Sequence, residues 1–347
     1  MDSVQEEDLH LLADRFPLYE DLRGKTIMVT GATGLLGSSA VRALLRIDQQ
    51  RQLGLQVIGV ARDEDKFRNI FGTGEESPKM LLHDFSQPGD LADAPEHCDY
   101  ILHFASPTAS RFFVDHPVET VCTVLNGTET MLRYALSRQS VMVDVSTLEV
   151  YGTISDDSHP LTEDCQGYVD PMAPRSSYPL AKRMAENLCK DYQAEYGLKV
   201  RVARLAQTFG AGVSRDDGRV FADFARHIVH GENIVLHTTG ELSRCYCYTT
   251  DAIEALLYIL LRGTDGEAYN VANETSYISI IDMARMVCQC FAPQLKPVVE
   301  LKEGMGYSPT TKLRLCCEKL RKLGWQPHLS LEQMFERLIM SFQEQGA

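Results

Sequence analysis

The chain has 347 residues, of which 44% are hydrophobic, and its formal net charge is -14 at pH 7. This length allows one large domain, or a large and a small one, with a substantial buried core. Because there is no basic tract, the sequence is not typical of nucleic-acid binding, which needs clustered Lys and Arg. No apolar stretch has the length needed to cross a bilayer, so no membrane partner is expected.

The N-terminal residues 1–23 predict a short helical extension. Leu9, Leu12 and Phe16 follow helical spacing, so this helix should pack against the main body. The segment is acidic and differs from a signal peptide, which has a basic start and an apolar run. The ten cysteines are scattered without paired zinc-ligand spacing, so we expect reduced thiols, no metal and a cytoplasmic location.

Strand and helix patterns alternate along the first part of the chain. A strand at residues 25–30 leads into a glycine-rich turn and a helix that runs to about residue 45. Further strands are predicted at residues 56–61, 79–83, 100–104, 141–146 and 199–204, and long helices at residues 118–138 and 179–196. This order predicts an α/β fold with a Rossmann-type, doubly wound parallel sheet.

The alternation ends after Phe209, where Gly, Asp and Arg separate short segments. We expect a smaller α+β substrate-binding cap there, with a strand at residues 234–237 and helices at residues 221–230, 280–290 and 331–342. The predicted domains are therefore a Rossmann domain of residues 24–208 plus about 245–272, and a smaller substrate-binding domain of about 209–244 plus 273–347.

The glycine-rich turn follows a strand and opens a helix, which is the context of a dinucleotide fingerprint. Gly31 permits the tight turn, Gly34 permits close approach of the pyrophosphate, and Gly37 permits packing of the helix on the sheet. The start of the helix offers free N–H groups and a positive dipole end to the phosphates. The predicted cofactor contacts here are Gly31, Thr33, Gly34, Leu35, Leu36 and Gly37.

The end of the second strand leaves two cofactors open. NAD-binding proteins usually have an acidic residue there, on the ribose hydroxyls, whereas this sequence has Ala61 and Arg62 followed by Asp63. Arg62 could contact a 2′-phosphate or lie on the adenine, and Asp63 could still reach the ribose. Asp84 and Phe85, after the third strand, are predicted beside the adenine. NAD is the predicted cofactor, with NADP as the alternative.

Tyr178 and Lys182 are four residues apart on a predicted helix and project from one face. A free tyrosine has a pKa of about 10, but a nearby ammonium and the positive nicotinamide ring favour the phenolate. Thr147 ends the fifth strand, where its hydroxyl could share the proton of a substrate oxygen. We predict a hydride-transfer triad in which Tyr178 is the base, Lys182 tunes it and Thr147 orients the substrate hydroxyl.

These motifs and their surroundings resemble the extended short-chain dehydrogenase/reductase family of nucleotide-sugar epimerases, dehydratases and decarboxylases. The resemblance runs from Lys25 to about Phe342 and is greatest to UDP-glucuronate decarboxylases. It is carried by residues 103–107 (HFASP), 146–152 (STLEVYG), 173–178 (APRSSY), 202–204 (VAR), 217–220 (DGRV) and 323–325 (LGW). Such enzymes keep NAD bound and oxidise the sugar C4 hydroxyl transiently.

The resemblance implies further site residues. Beside the cofactor it implies Phe104, Ala105, Ser106, Tyr178 and Lys182, and at the substrate Ser106, Arg175, Gln207, Arg219, Val220 and Arg244. Arg244 matches an arginine that faces the diphosphate and, in decarboxylases, lies close to the reacting end of the sugar. An arginine fork suits a pyrophosphate or a carboxylate.

Neighbours of the triad distinguish between reactions. Glu149 matches the glutamate of decarboxylases and 4,6-dehydratases, which simple 4-epimerases usually lack. Leu148 stands where a dehydratase has an acidic proton donor and a decarboxylase usually has serine, and Gln207 and Val124 each replace a usual asparagine. Decarboxylation of a UDP-uronic acid is therefore predicted, with 4-epimerisation or C5 epimerisation and then 4,6-dehydration as alternatives.

Two other classes of protein remain as alternatives. An NADPH-dependent ketone reductase would fit Ala61 and Arg62, whereas a non-catalytic dinucleotide sensor would not need the triad. The resemblance also implies a homodimer in which helices 118–138 and 179–196 of two subunits form a four-helix bundle. The predicted small-molecule partner is a nucleotide sugar.

Overall fold

The computed structural model describes residues 1–74, 76–91, 93–302 and 311–346. Its helices are α1 (Ser3–Arg15), α2 (Leu35–Arg51), α3 (Glu64–Phe71), α4 (Ser110–Asp115), α5 (Pro117–Arg138), α6 (Ser177–Tyr196), α7 (Val220–His230), α8 (Thr249–Arg262), α9 (Ile280–Phe291), α10 (Glu318–Arg321) and α11 (Leu331–Glu344). Among the helices of these four ranges, none has the length and apolar character that crossing a membrane requires.

The strands of the same residues follow in chain order. They are β1 (Thr26–Thr30), β2 (Gln56–Ala61), β3 (Lys79–Leu82), β4 (Tyr100–His103), β5 (Val141–Thr147), β6 (Val200–Leu205), β7 (Gln207–Phe209), β8 (Ile234–Leu236), β9 (Ser243–Tyr248), β10 (Ala268–Val271), β11 (Asn273–Ser279), β12 (Pro297–Val299) and β13 (Lys312–Leu313).

Seven of these strands form one parallel sheet in the order β10-β6-β5-β4-β1-β2-β3. All five residues of β1 are buried, as expected for a strand covered on both faces. Ile27 and Val29 pack in the core with α2 and α8, whereas Met28 packs with α5 and α6. The predicted Rossmann-type α/β fold is confirmed.

The strand order reverses between β1 and β4, because β2 and β3 extend the sheet on one side of β1 and β4 to β6 on the other. Ligands of open α/β sheets bind outside the carboxyl ends of the strands at such a switch point. Thr30 and His103, at the ends of β1 and β4, lie side by side there.

A smaller α+β layer is built on the second half of the chain. β11, β9, β13 and β7 form one short sheet, and β12 pairs with β8. Helices α7, α9 and α11 share a separate core with these strands, which includes Phe209, Phe221, Tyr246, Met283 and Phe335. The predicted cap architecture is therefore present.

Helices α2 and α8 and strand β10 differ from the sequence prediction. Helix α2 continues to Arg51 instead of ending near Leu45, because Ile47 is buried and the Asp48 carboxylate accepts hydrogen bonds from Leu53 N and Leu55 N beyond the helix end. Helix α8 and strand β10 were not predicted. Residues 249–260 of α8 are all buried, including the polar residues Asp251 and Glu254, so this stretch has no solvent-exposed face.

Helix α1 fastens onto the Rossmann part through its C-terminal half. Leu12 and Phe16 are fully buried in the main core. Arg15 forms ion pairs with Asp251 and Glu254 of α8, at 2.8 Å each. Because both carboxylates are buried, removing the arginine would leave Glu254 with the His328 ring and Asp251 with two main-chain N–H groups as partners, which compensate the charges less well.

The N-terminal half of α1 contacts the cap. The Asp8 carboxylate accepts a hydrogen bond from Tyr248 Oη at 2.5 Å and pairs with Arg337 of α11 at 2.6 Å. Glu7 also pairs with Arg337, at 2.8 Å. Burial raises the pKa of Asp8 to about 6 despite these partners. The extension thus joins the two layers through a buried carboxylate.

This carboxylate should make stability depend on pH. A raised pKa means that the contribution of Asp8 is present below its ordinary pKa of 3.8 and is lost as the pH rises through about 6. The difference corresponds to about 3 kcal/mol. Relative to Asp8→Asn, the wild-type free energy of unfolding should fall by up to that amount between pH 4 and pH 7, measured by urea denaturation. A difference that stays constant over this range would contradict the assignment.

Candidate active site

A cavity of about 640 Å³ opens at the switch point, over the carboxyl ends of the parallel strands. It is lined by residues that follow or end five strands: Gly31 after β1, Arg62 after β2, Asp84 after β3, Ala105 after β4 and Thr147 at the end of β5. The sheet therefore gathers sequence-distant side chains around one space.

The glycine-rich turn forms a cradle at one end of this cavity. Gly31 has φ +63°, and a Cβ on Gly37 would lie 2.2 Å from the Gly31 carbonyl oxygen, so neither position accepts a side chain without strain. Gly34 precedes α2, and no side chain caps that helix. Its first N–H groups therefore suit a pyrophosphate. The cavity is lined by all six residues predicted here, Gly31, Thr33, Gly34, Leu35, Leu36 and Gly37.

A buried hydrogen-bond network holds the loop after β4 against this turn. Thr30 Oγ1 accepts a hydrogen bond from Ala105 N at 3.1 Å and bonds to His103 Nδ1 at 2.7 Å. Burial lowers the pKa of His103 to about 3, so the ring is neutral. Phe104, Ala105 and Ser106 consequently line the cavity. The sequence analysis did not identify Thr30 and His103 as the residues that fix this loop.

The adenosine end of the cavity, meaning the part where the adenosine is predicted to bind, carries both signs of charge and is lined by Arg62, Asp63, Lys66, Asp84 and Phe85. The Asp63 carboxylate caps α3 by accepting a hydrogen bond from Lys66 N at 2.8 Å at one of its oxygens, and Asp63 also lines the cavity. Asp84 accepts a hydrogen bond from Ser86 N, which holds the pKa of its carboxyl below the ordinary value. Arg62 and Lys66 line the same end. Lys66 was not predicted, although it lies one turn after Arg62.

Phe85 has a packing role beside these groups. It is buried, and its ring meets the His83 and His103 rings edge-on at 4.6 and 5.6 Å. Like Asp84, it lines the cavity. An aromatic side chain here gives the adenosine end a rigid apolar wall.

The phenol of Tyr178 lies at the opposite end of the cavity. Tyr178 is the second residue of α6, and both Tyr178 and Thr147 line the cavity. Burial raises the pKa of Tyr178, the charge of Glu149 adds to this, and a hydrogen bond with the Thr147 side chain lowers it. Lys182 is buried one turn later and donates from Nζ to the Val145 carbonyl oxygen at 2.8 Å.

Glu149 is held at the same end of the cavity. It lies in a 3-10 turn, Leu148–Tyr151, that begins directly after β5 and whose first residue, Leu148, is buried. The Glu149 carboxylate pairs with Arg175 Nη2 at 3.0 Å. Thr147, Glu149 and Tyr178 therefore line one cavity together with Leu148, whose hydrocarbon side chain offers no proton.

The residues expected at the substrate have different surroundings. Gln207 and Arg219 line the cavity, and Arg219 forms an ion pair with Asp217 at 2.5 Å. Val220 follows as the first residue of α7. Arg244 Nε is buried without a hydrogen-bond partner among the residues that the structure describes. The cavity lining identified within those residues does not include Arg175, Lys182, Val220 or Arg244.

Comparison with known proteins identifies the family to which this chain belongs. Residues 27–272, more than half of the chain, match the NAD dependent epimerase/dehydratase family. The chain belongs to this family. It is accordingly an enzyme with NAD as its cofactor, and the glycine cradle, the loop after β4 and the adenosine end fit that dinucleotide. When bound, NAD supplies a hydride acceptor.

Individual relatives of this epimerase/dehydratase-family enzyme cover nearly all of it. It is 30% identical over 322 residues to UDP-glucuronic acid decarboxylase 1 of Xenopus tropicalis, covering 92% of this chain and 73% of that protein. It is 29% identical over 309 residues to UDP-glucuronic acid decarboxylase 6 of Arabidopsis thaliana, covering 88% and 85%. A solved UDP-glucuronic acid 4-epimerase from Bacillus cereus, with NAD bound, shares the fold at TM-score 0.77 and 18% identity over 92% and 99% of the chains.

The cations at the adenosine end of this family member give a test of cofactor discrimination. Arg62→Ala should weaken binding of NADP about tenfold or more, and that of NAD much less, because only NADP carries a 2′-phosphate that the guanidinium could meet. Calorimetric titration of the protein freed of nucleotide would measure both affinities. Arg68→Ala is the matched control, since Arg68 lies on α3 and pairs with Glu64. Equal weakening of both dinucleotides would instead place Arg62 on the adenine.

Proposed function

We propose that this enzyme modifies a nucleotide sugar by transient oxidation of its C4 hydroxyl, and that its reaction is decarboxylation of UDP-glucuronate or a related UDP-uronic acid. The observation that carries the proposal is the Glu149 carboxylate in one cavity with Thr147 and Tyr178. Similarity to UDP-glucuronic acid decarboxylases over 92% and 88% of the chain supports the substrate class.

In the proposed first step, the C4 hydroxyl loses its proton and the hydrogen on C4 leaves as a hydride. Tyr178, as phenolate, takes the hydroxyl proton, while the Thr147 hydroxyl bonds the same oxygen and orients it. Because burial raises the pKa of Tyr178, this step needs positive charge nearby, which Arg175 supplies in this structure. Lys182, one turn along α6, is proposed to add to it from below the phenol.

The second step follows from the ketone formed at C4. A carboxylate on C5 is β to this ketone, so the C5–carboxyl bond breaks, its electron pair enters an enolate and carbon dioxide leaves. We propose that Glu149 positions C5 and the proton that C5 then takes up. The product is a UDP-4-keto-pentose, or UDP-xylose when the hydride returns to C4.

Epimerisation is the second candidate. A solved UDP-glucuronic acid 4-epimerase shares the fold at TM-score 0.77. Glu149 could also exchange the C5 proton, which would make the product a C5 epimer. 4,6-Dehydration, in which the C5 proton and the C6 hydroxyl leave as water after C4 is oxidised, is less favoured, because Leu148 is a buried hydrocarbon at the proton donor's position.

We propose that residues 24–208 plus about 245–272 hold NAD, and that about 209–244 plus 273–347 hold the nucleotide sugar. Ser106, Gln207 and Arg219 line the cavity where these parts of the chain approach. Arg244, whose buried Nε has no hydrogen-bond partner among the described residues, is proposed to face the diphosphate, together with the start of α7 at Val220.

Assembly and location are proposals of the same kind. Val118 of α5 and Met184 of α6 are exposed apolar residues, at 75% and 48%, which supports a homodimer that pairs these two helices. All ten cysteines carry free thiols, which supports a reducing compartment such as the cytoplasm.

The reaction can be tested by mass spectrometry of the product after incubation with UDP-glucuronate and NAD. We expect a product lighter than the substrate by one carbon dioxide. Glu149→Gln should reduce its formation about a hundredfold or more, within the range typical for loss of an acid–base group. A product of unchanged mass would instead support epimerisation.

The triad can be tested independently of the product. Tyr178→Phe should lower turnover about a hundredfold or more, because the ring remains but the group that takes the proton is lost. NAD measured in the denatured protein should stay at the wild-type amount, since the glycine cradle is untouched. Full activity of this variant would reject Tyr178 as the base.

A further inference from the structure

Three side chains from separate segments form a stack at the reaction end of the cavity. The Phe113 ring of α4 lies flat on the Tyr178 ring, with centroids 4.2 Å apart and an interplanar angle of 4°. The Arg175 guanidinium lies 5.0 Å from the Phe113 centroid. Ser177 Oγ donates to the Phe113 carbonyl oxygen at 3.2 Å, which ties α4 to the start of α6. The stack therefore fixes the place of the guanidinium relative to the phenol.

Arg175 contacts both carboxylate oxygens of Glu149 through one guanidinium nitrogen. Arg175 Nη2 lies 3.2 Å from one carboxylate oxygen of Glu149 and 3.0 Å from the other. Both side chains are about three-quarters buried, with exposed fractions of 28% and 23%. Glu149 also has a second restraint, because its main-chain N–H donates to Thr147 Oγ1 at 3.2 Å.

We propose that Arg175 is a positioning residue for the C4 oxidation, which orients the Glu149 carboxylate and offsets its negative charge beside Tyr178. This inference rests on the proposed function, because it assumes that Tyr178 acts as a base. The arginine acts through Glu149 and Phe113 and needs no contact with substrate.

The charges that face Tyr178 make the consequence specific. Glu149, after β5, and Asp144, on β5, raise the pKa of Tyr178, whereas Arg175 lowers it. A hydrogen bond with the Thr147 side chain also lowers the pKa of Tyr178. Lys182 lies one turn after Tyr178 on α6. A carboxylate next to a phenol that must ionise would hinder the first step unless a cation accompanied it.

The pair should therefore behave as one neutral unit in the ionisation of Tyr178. Arg175→Gln leaves the carboxylate unbalanced, so the midpoint for phenolate formation should move up by about one pH unit. Glu149→Gln should move it down. The double variant Glu149→Gln/Arg175→Gln should return it close to the wild-type value, and Arg175→Lys should keep it there because the charge remains.

Ultraviolet difference absorbance of the phenolate would measure this in the NAD-bound protein without nucleotide sugar, with the Tyr178→Phe titration subtracted. The midpoint does not depend on which sugar is the substrate. A failure of the predicted shifts with normal turnover would thus overturn the role of Arg175 alone. Absence of any Tyr178 ionisation in the wild type would instead count against the proposed function.

Arg183→Gln is the matched control. Arg183 lies on α6, close in sequence to Arg175, and donates hydrogen bonds to the main-chain oxygens of Val150 and Gly167 at 2.7 and 2.8 Å. Its replacement therefore removes one positive charge and these two hydrogen bonds. We expect this variant to lower the thermal midpoint and leave the Tyr178 midpoint unchanged. If Arg175→Gln shifts the Tyr178 midpoint no more than Arg183→Gln does, Arg175 has a structural role only and the proposal is wrong.

Discussion

Tyr178 is buried, and burial opposes the loss of a proton that its proposed role as a base requires. It raises the pKa of Tyr178, and the nearby Glu149 raises it further. The surrounding structure can be understood as compensation. Thr147 supplies a hydrogen bond and Arg175 a positive charge, while Lys182 is held close by a hydrogen bond to the chain of β5. Thr147 ends β5, Arg175 lies in the short turn before α6, and Lys182 lies in the second turn of α6.

The cofactor end depends on a different constraint, which is backbone geometry. The loop after β4 lies against the place that a Cβ of Gly31 would take, and the Gly31 carbonyl group occupies that of a Cβ of Gly37. Thr30 and His103 hold the two segments together without a formal charge, because the buried imidazole stays neutral. A neutral cradle leaves the helix N-terminus as the positive feature that meets the pyrophosphate.

Local sequence patterns predicted the alternating strands and helices, the glycine turn and the Tyr178–Lys182 pair, since each depends on residues a few positions apart. β10 was missed because an edge strand of four residues carries little pattern of its own, and it follows α8, which was missed too and whose residues 249–260 are all buried. The site details were missed for another reason. Phe113, Glu149 and Arg175 meet only after the chain has folded, and nothing in the spacing of these segments indicates an ion pair or a stack.

Asp63 shows the same limit on a smaller scale. Its position after β2 predicts a ribose contact, which stays a prediction; the structure adds a local role, because one carboxylate oxygen caps α3. Local satisfaction of this kind also bears on the substrate end. Arg175 pairs with Glu149 and Arg219 with Asp217, so each pair is close to neutral and attracts an anion weakly. The Nε of Arg244, by contrast, is buried and has no hydrogen-bond partner in the described ranges of the chain, so its capacity to donate is unused. Under the proposed function, Arg244 is therefore the candidate cation for the diphosphate of a nucleotide sugar, because the charges of Arg175 and Arg219 are already offset by their carboxylate partners.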